Sequence, residues 1–226
     1  MTPLQHLLLA EQVRERLGWS LEFRPYLLMG AIAPDTHRVV DDISYRDLHF
    51  RSRSKEHNRL IDFLNTFLRR AINGSEHELS FWVGWLSHIV ADDTWRHQLR
   101  ERIPELWETA ISDDEAAARQ MRKLYRRECV HLDIVLFSER TDLMREIRTD
   151  LLAAEPRFCS PLIPTRDLHS WRLTVAQTML PPLAESEEAP VYLDADFVDT
   201  CLYQAREEVC RIVDWETEDS DIAPIF

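Results

Sequence analysis

The chain has 226 residues, 45% of them apolar, which is enough to bury a sizeable core. Glycine is scarce, with 4 residues, and strand-like alternation is rare, so we predict an all-α multi-helix bundle. The net charge is −13, and residues 184–226 contain 13 acidic and 2 basic residues. This acidic C-terminal region argues against nucleic acid or an anionic membrane as a partner.

The four cysteines form no CxxC pair, and the first residues lack the basic region of a signal peptide. A reducing compartment is therefore expected, and we predict a cytoplasmic protein. No apolar stretch approaches the length of a transmembrane segment. The sequence predicts no particular oligomeric state.

The N-terminal residues predict a helix. Thr2 is a suitable N-cap, a proline follows it, and Gln5 completes a capping box. His6 lies on the apolar face of this helix, where a lone histidine is more often a core residue than a ligand. A second helix is expected to stop at Pro34, which places Asp35 in a loop just beyond a buried helix.

His49 follows a polar segment and is surrounded by cationic side chains, with Arg46, Arg51 and Arg53 nearby in the sequence. These cations form either a solvated face or a clamp for a phosphate group. A helix is then predicted from about Ser54 to Asn73.

The central element is one long helix predicted over about residues 76–100, which begins with a capping box at Ser75. Apolar side chains surround it nearly completely, so we expect it to be buried. His88 and Asp92 lie one turn apart on an aromatic stripe of this helix, and a buried carboxylate needs a cation or hydrogen-bond donors. The small residues on an adjoining side would let another helix approach closely; they are Gly84, Ser87 and Ala91.

Another helix is predicted after a capping signal at Ser112. Glu128 and His131 interrupt its apolar stripe at positions i and i+3. A Glu-x-x-His pair that faces a bundle interior is a known metal-ligand arrangement, whereas at the edge of the stripe it is a surface pair. Later helices are predicted near residues 166–180 and 194–213.

Five candidate ligands lie in buried or nearly buried contexts: His6, Asp35, His49, His88 and Asp92. Imidazoles and carboxylates without a thiolate suit zinc in a catalytic-type site, or iron or manganese. We expect one helical domain over residues 1–226. Its metal-site half covers about 1–140, and the C-terminal helices and acidic tail cover about 141–226.

The motifs around these residues, in their order, resemble the zinc-dependent phospholipase C family, which is related to the zinc-dependent single-strand nucleases. The resemblance covers about residues 4–100. It rests on Gln5-His6-Leu7-Leu8-Leu9-Ala10, Gly30-Ala31-Ile32-Ala33-Pro34-Asp35, His49-Phe50 and Gly84-Trp85-Leu86-Ser87-His88-Ile89-Val90-Ala91-Asp92. The resemblance implies a first metal bound by Asp35, His49, His88 and Asp92, and a second metal to which His6 and Asp92 contribute.

The chain departs from the family pattern after Asp92. The family has a further histidine and then a His-x-x-x-acid pair on the next helix. Here His97 follows at a shorter spacing, and Glu128 and His131 have the reverse order. We therefore expect one or two divalent ions, with zinc as the first choice and an altered second site.

The resemblance implies a metal-dependent hydrolase that acts on a small-molecule or lipid-like phosphoester through metal-activated water. In this hypothesis Asp35 also acts as a base that orients the attacking water. One alternative is different metal chemistry on the same scaffold, such as iron-dependent oxidation. Another is a non-catalytic helical binding module in which the His–Asp pairs serve only packing.

Overall fold

The computed structural model describes residues 1–40, 42–50, 59–155, 160–179 and 190–218. All regular secondary structure in these ranges is helical, which confirms the all-α prediction. Short 3-10 helices at Leu21–Phe23 and Ala33–Arg38 flank the second helix, and π-helical turns at Leu64–Leu68 and Val175–Met179 extend two others. The α-helices are α1 (Pro3–Arg16), α2 (Arg24–Ile32), α3 (Tyr45–Leu48), α4 (Arg59–Phe63), α5 (Arg69–Ile72), α6 (Glu76–Arg102), α7 (Pro104–Ala110), α8 (Glu115–Glu139), α9 (Thr141–Ala153), α10 (Thr165–Thr174) and α11 (Ala195–Glu218).

The helix α6 lies at the centre of the bundle, as its sequence predicts. Ser75 caps it through a side-chain oxygen that accepts from the backbone N–H of Glu78. Its middle turns are buried on all sides, and α2 and α11 make the most extensive contacts with it. The central helix therefore places side chains such as His88 in the interior of the protein, away from water.

Two glycines allow α2 and α6 to pack with their backbones in contact. A Cβ atom on Gly84 would clash with the backbone carbonyl of Leu27, and one on Gly30 would clash with the carbonyl of Phe81. The close approach that the small residues of α6 predict is therefore present. It brings the end of α2 beside His88.

The N-terminal half follows the predicted capping signals, with one difference at Asp35. Thr2 and Gln5 form the expected capping box at the start of α1. Asp35 does not lie in a loop but in the 3-10 helix Ala33–Arg38, because Pro34 occupies its first turn, where no hydrogen-bonding N–H is required. Asp35 is consequently held by helical backbone on both sides.

The C-terminal helix α11 packs against α6 and α1, and it covers the predicted segment 194–213. The end of the acidic tail, residues 219–226, lies outside the described residues. Among the helices that are described, none has the length and apolar character needed to cross a bilayer. The division into a metal-site half and a C-terminal half stays a prediction.

Candidate metal centre

The fold brings together five sequence-predicted ligands from four separate elements. His6 comes from α1, Asp35 from the 3-10 helix, His49 from the end of α3, and His88 and Asp92 from α6. Ligand atoms of His6, Asp35 and His88 all lie within 4.8 Å of one another, and so do those of His49, His88 and Asp92. Four of the five residues are buried, and the Asp92 side chain is 15% exposed.

Backbone carbonyls fix the orientation of two of the imidazoles. Nδ1 of His88 donates to the carbonyl of Ala31 over 2.7 Å, and Nδ1 of His49 donates to the carbonyl of Tyr45 over 2.9 Å. A carbonyl only accepts, so Nδ1 carries the proton in each neutral ring and Nε2 presents a lone pair. The two Nε2 atoms face each other at 3.0 Å, an arrangement that a shared cation would stabilise.

His6 has no hydrogen-bond partner for either ring nitrogen within the described part of the chain, although both atoms are buried. Its ring stacks on that of His88, with centroids 3.6 Å apart, and its Nε2 lies 3.6 Å from Oδ1 of Asp92. A histidine that served only packing would satisfy its polar atoms. The unpaired nitrogens of His6 therefore fit a metal ligand.

The environment keeps all three imidazoles neutral. Burial, and then the neighbouring His88, hold the pKa of His6 well below its usual value. The same two causes lower the pKa of His49 to about 3, and burial lowers the pKa of His88. Neutral imidazole is the form that binds a metal ion.

The two carboxylates complete the cluster. Oδ1 of Asp35 lies 3.8 Å from Nε2 of His49, and Oδ2 of Asp92 lies 3.7 Å from the same atom. Burial alone would raise the pKa of Asp92, but the charged amino group of Met1, 3.0 Å away, holds that pKa well below its usual value. Asp92 is therefore an anion at neutral pH.

Two tryptophans that the sequence reasoning did not single out as site residues hold the ligand-bearing segments in place. The indole N–H of Trp85 donates to the carbonyl of Leu48, next to His49, over 3.0 Å. The indole N–H of Trp171 donates to the carbonyl of Ile32, just before the 3-10 helix, over 2.8 Å. No local spacing signals such a role, because each bond joins residues far apart in the sequence.

The structure does not bring Glu128 or His131 into this cluster. The Glu128 carboxylate accepts three backbone N–H bonds, from Val191, Tyr192 and Leu193, at 2.8–3.0 Å. Its oxygens thus anchor the segment before α11, and Glu128 belongs to neither ligand group in the described part of the chain, in contrast to its predicted place among the ligands. His131 is half-buried on the same helix and belongs to neither of the ligand groups among the described residues.

The prediction that Arg46, Arg51 and Arg53 hold a phosphate stays a prediction. Arg46 is exposed on α3, and Arg51 and Arg53 lie outside the described residues. A cavity of about 380 Å³ adjoins the cluster, with Asp35 and Asp92 in its lining. The arginines that line this cavity are Arg38, Arg96 and Arg122.

Comparison with known protein families gives a match to zinc dependent phospholipase C over residues 5–157, which is more than half of the chain. The chain belongs to this family. Comparisons with the curated proteins and with the solved structures gave no match. Family membership, together with the buried imidazoles and carboxylates, supports a metal-dependent phosphoester hydrolase in general terms.

Proposed function

We propose that this family member hydrolyses a small-molecule or lipid-like phosphoester with the help of one or two zinc ions held by His6, Asp35, His49, His88 and Asp92. The observation that carries the proposal is the set of unsatisfied, inward-facing imidazole nitrogens beside two carboxylates. His6 lacks any hydrogen bond in the described structure, and the Nε2 atoms of His49 and His88 face each other. Packing alone does not account for these nitrogens.

The donor set fits zinc, which takes imidazole nitrogen and carboxylate oxygen as ligands in catalytic sites. A bound zinc ion would activate a water molecule and polarise a phosphoryl oxygen. The chain's own contribution is orientation: the carbonyls of Ala31 and Tyr45 hold the rings of His88 and His49, and two tryptophan N–H groups hold the neighbouring backbone.

Asp35 is proposed as the base that accepts a proton from the attacking water. Nη2 of Arg38 lies 2.9 Å from Oδ2 of Asp35, although the two groups are not aligned for a hydrogen bond. Both residues line the cavity, so they face the space where a substrate would bind. Arg38 is therefore better placed to meet a phosphate than Arg46, which is exposed on α3 and absent from the cavity lining.

The test combines metal content with phosphoesterase activity in three proteins: wild type, His88→Ala and His97→Ala. His97 is a matched control because it lies on α6 but is exposed and pairs with Glu101. Proteins purified without chelator would be analysed for metals and assayed with 4-nitrophenyl phosphate and bis(4-nitrophenyl) phosphate. We expect zinc and activity in wild type and His97→Ala, and loss of both in His88→Ala.

Equal metal content in the His88→Ala and His97→Ala variants would overturn the proposal. Iron in the wild-type protein, without phosphoesterase activity, would favour the oxidative alternative. A stable wild-type protein without any bound metal would favour a binding module. The cytoplasmic location and the absence of nucleic-acid partners stay predictions from composition.

A further inference from the structure

The cavity beside the candidate metal centre extends well beyond the carboxylates. Asp92 and Leu99 both line it and lie two turns apart on α6, so it is roughly 10 Å long in this direction. Trp95 of α6 and Trp107 of α7 contribute apolar surface to its lining. The cavity is therefore large enough for a ligand with an apolar portion as well as a phosphoryl group.

Three guanidinium groups line this cavity, although the chain as a whole carries a net charge of −13. Arg38 lies at the metal end beside Asp35. Arg96 donates from Nε to the backbone carbonyl of Asp92 over 3.0 Å and also pairs with Asp93. A divalent cation held by Asp35 and Asp92 would offset their charge, which would leave the cavity cationic.

Arg122 of α8 also lines the cavity. Its Nη1 donates to the carbonyl of Ala110, at the end of α7, over 3.0 Å, and its Nη2 donates to Glu115 over 2.9 Å. These bonds orient the guanidinium, which has five N–H donors, so donors remain for an anionic ligand. The competing Glu115 side chain is 68% exposed, so its pairing with Arg122 is weak.

We infer that the substrate of this site is an amphiphilic phosphoester with a second anionic group. Its reacting phosphoryl group lies at Asp35 and Asp92, its apolar portion lies along Trp95 and Leu99, and its second anionic group binds Arg122. This inference rests on the proposed function for the location of the reacting group. Binding of the second anionic group to Arg122 would make the site select substrates with two anionic groups, which the metal ligands alone would not do.

The test compares the binding of octyl phosphate, 1,8-octanediyl bisphosphate and inorganic phosphate to the protein as purified, by titration calorimetry. The flexible eight-carbon chain of the bisphosphate lets its two anionic groups occupy separate positions in the cavity. We expect it to bind about tenfold more tightly than octyl phosphate, because a charge-assisted hydrogen-bond pair typically contributes this much. Inorganic phosphate, which lacks the apolar portion, should bind more weakly than both.

Arg122→Gln should remove the advantage of the bisphosphate and leave octyl phosphate binding unchanged. Arg119→Gln is the matched control, since Arg119 lies on the same helix, also faces Glu115, and does not line the cavity. A twofold advantage or less in the wild-type protein would overturn the inference, because two equivalent heads give that factor statistically. An equal preference for the bisphosphate over octyl phosphate in Arg122→Gln and Arg119→Gln would overturn it too. If the protein contains zinc and hydrolyses phosphoesters, these negative binding results would contradict only the second anionic site and would leave the proposed function intact. A protein without metal and without activity would contradict the proposed function itself.

Discussion

His6 and His88 differ in how the protein satisfies them, although both rings are buried and stacked on each other. His88 has one nitrogen bound to the carbonyl of Ala31, whereas both nitrogens of His6 lack a hydrogen bond within the described residues. Leaving a buried polar atom unpaired typically costs about 1–3 kcal/mol. A ligand that binds a ring nitrogen of His6 would therefore remove this cost and stabilise the folded protein.

Asp133 offers a residue-scale prediction outside the cluster. It accepts hydrogen bonds from Thr2 and Gln5, and desolvation raises its pKa from 3.8 to about 7. Between these two pH values Asp133 is therefore protonated in the folded protein and ionised in the unfolded chain. The free energy of unfolding contributed by this group falls as pH rises through that window, by at most about 4 kcal/mol.

The Asp133→Asn variant keeps an acceptor oxygen and cannot ionise, so its stability should lose this component of the pH dependence. Denaturant unfolding at pH 4.5 and 7.5 of the metal-free wild type and variant would measure the difference. We expect the variant to gain stability relative to wild type at the higher pH. Parallel pH profiles for the two proteins would contradict the prediction.

Glu128 supplies the second residue-scale prediction. The variant Glu128→Gln would turn an amide NH₂ group toward backbone N–H donors, so it should lower the free energy of unfolding by about 2–4 kcal/mol. Metal content should not change, because the carboxylate anchors residues 191–193 and not the cluster. Glu139→Gln, exposed at the end of the same helix, is the control. A loss of metal in the Glu128 variant alone would return this residue to the ligand set.

At the scale of elements, the contact between α2 and α6 decides whether the site can form. Gly84→Ala would place a methyl group against the backbone carbonyl of Leu27, which cannot move aside as a side chain could. We expect a loss of about 1–3 kcal/mol or more in unfolding free energy, with weaker metal binding because His88 shifts away from Ala31. Thermal unfolding and zinc titration would measure both effects.

Gly74→Ala is the comparison for this variant, since the nearest atom to the added methyl group belongs to the flexible side chain of Glu78. It should leave zinc affinity unchanged. Equal effects of the two substitutions would contradict the close approach of α2 and α6 as the cause, because Gly74 lies between α5 and α6 and away from that contact.

Signals in neighbouring residues made several elements predictable. The boundaries of α1 and α6 follow from side chains that cap their own helix, so Thr2 and Ser75 mark them in the sequence. The close approach at Gly84 follows from side-chain size. The five clustered candidate ligands are recognisable because their motifs occur in a specific order.

Other features depend on contacts that leave no local pattern. The partners of Glu128 lie more than sixty residues away in an irregular segment, so its Glu-x-x-His spacing gives no sign of this anchoring role. The location of Arg38 and Arg122 in one cavity likewise requires the packing of α7 against α6 and of α8 against α7. Hydrophobic periodicity and residue spacing do not indicate long-range contacts of this kind.

For the whole molecule, the cluster joins α1, the 3-10 helix, the end of α3 and the central helix α6. Without a cation, three imidazoles lie beside two carboxylates at one point, and both ring nitrogens of His6 and Oδ2 of Asp35 lack a hydrogen bond within the described residues. A ligand that binds only the folded protein stabilises it by an amount that grows with the logarithm of its concentration relative to its Kd. Zinc should therefore raise the unfolding temperature, and a chelator should lower it.

The pH dependence of the metal-free protein provides the final prediction. The unfolded imidazoles take up protons near pH 6.5, whereas burial lowers the pKa of His6, His49 and His88 in the fold, that of His49 to about 3. Below pH 6.5 the unfolded chain thus binds more protons than the folded one, so stability falls as pH decreases, by up to about 1.4 kcal/mol per pH unit for each histidine. Denaturant unfolding at pH 7.5 and 5.0 with chelator would measure the loss, and His49→Gln should reduce it by removing one of the three groups. A metal-free protein whose unfolding free energy is the same at both pH values would contradict the burial of neutral imidazoles on which the site depends.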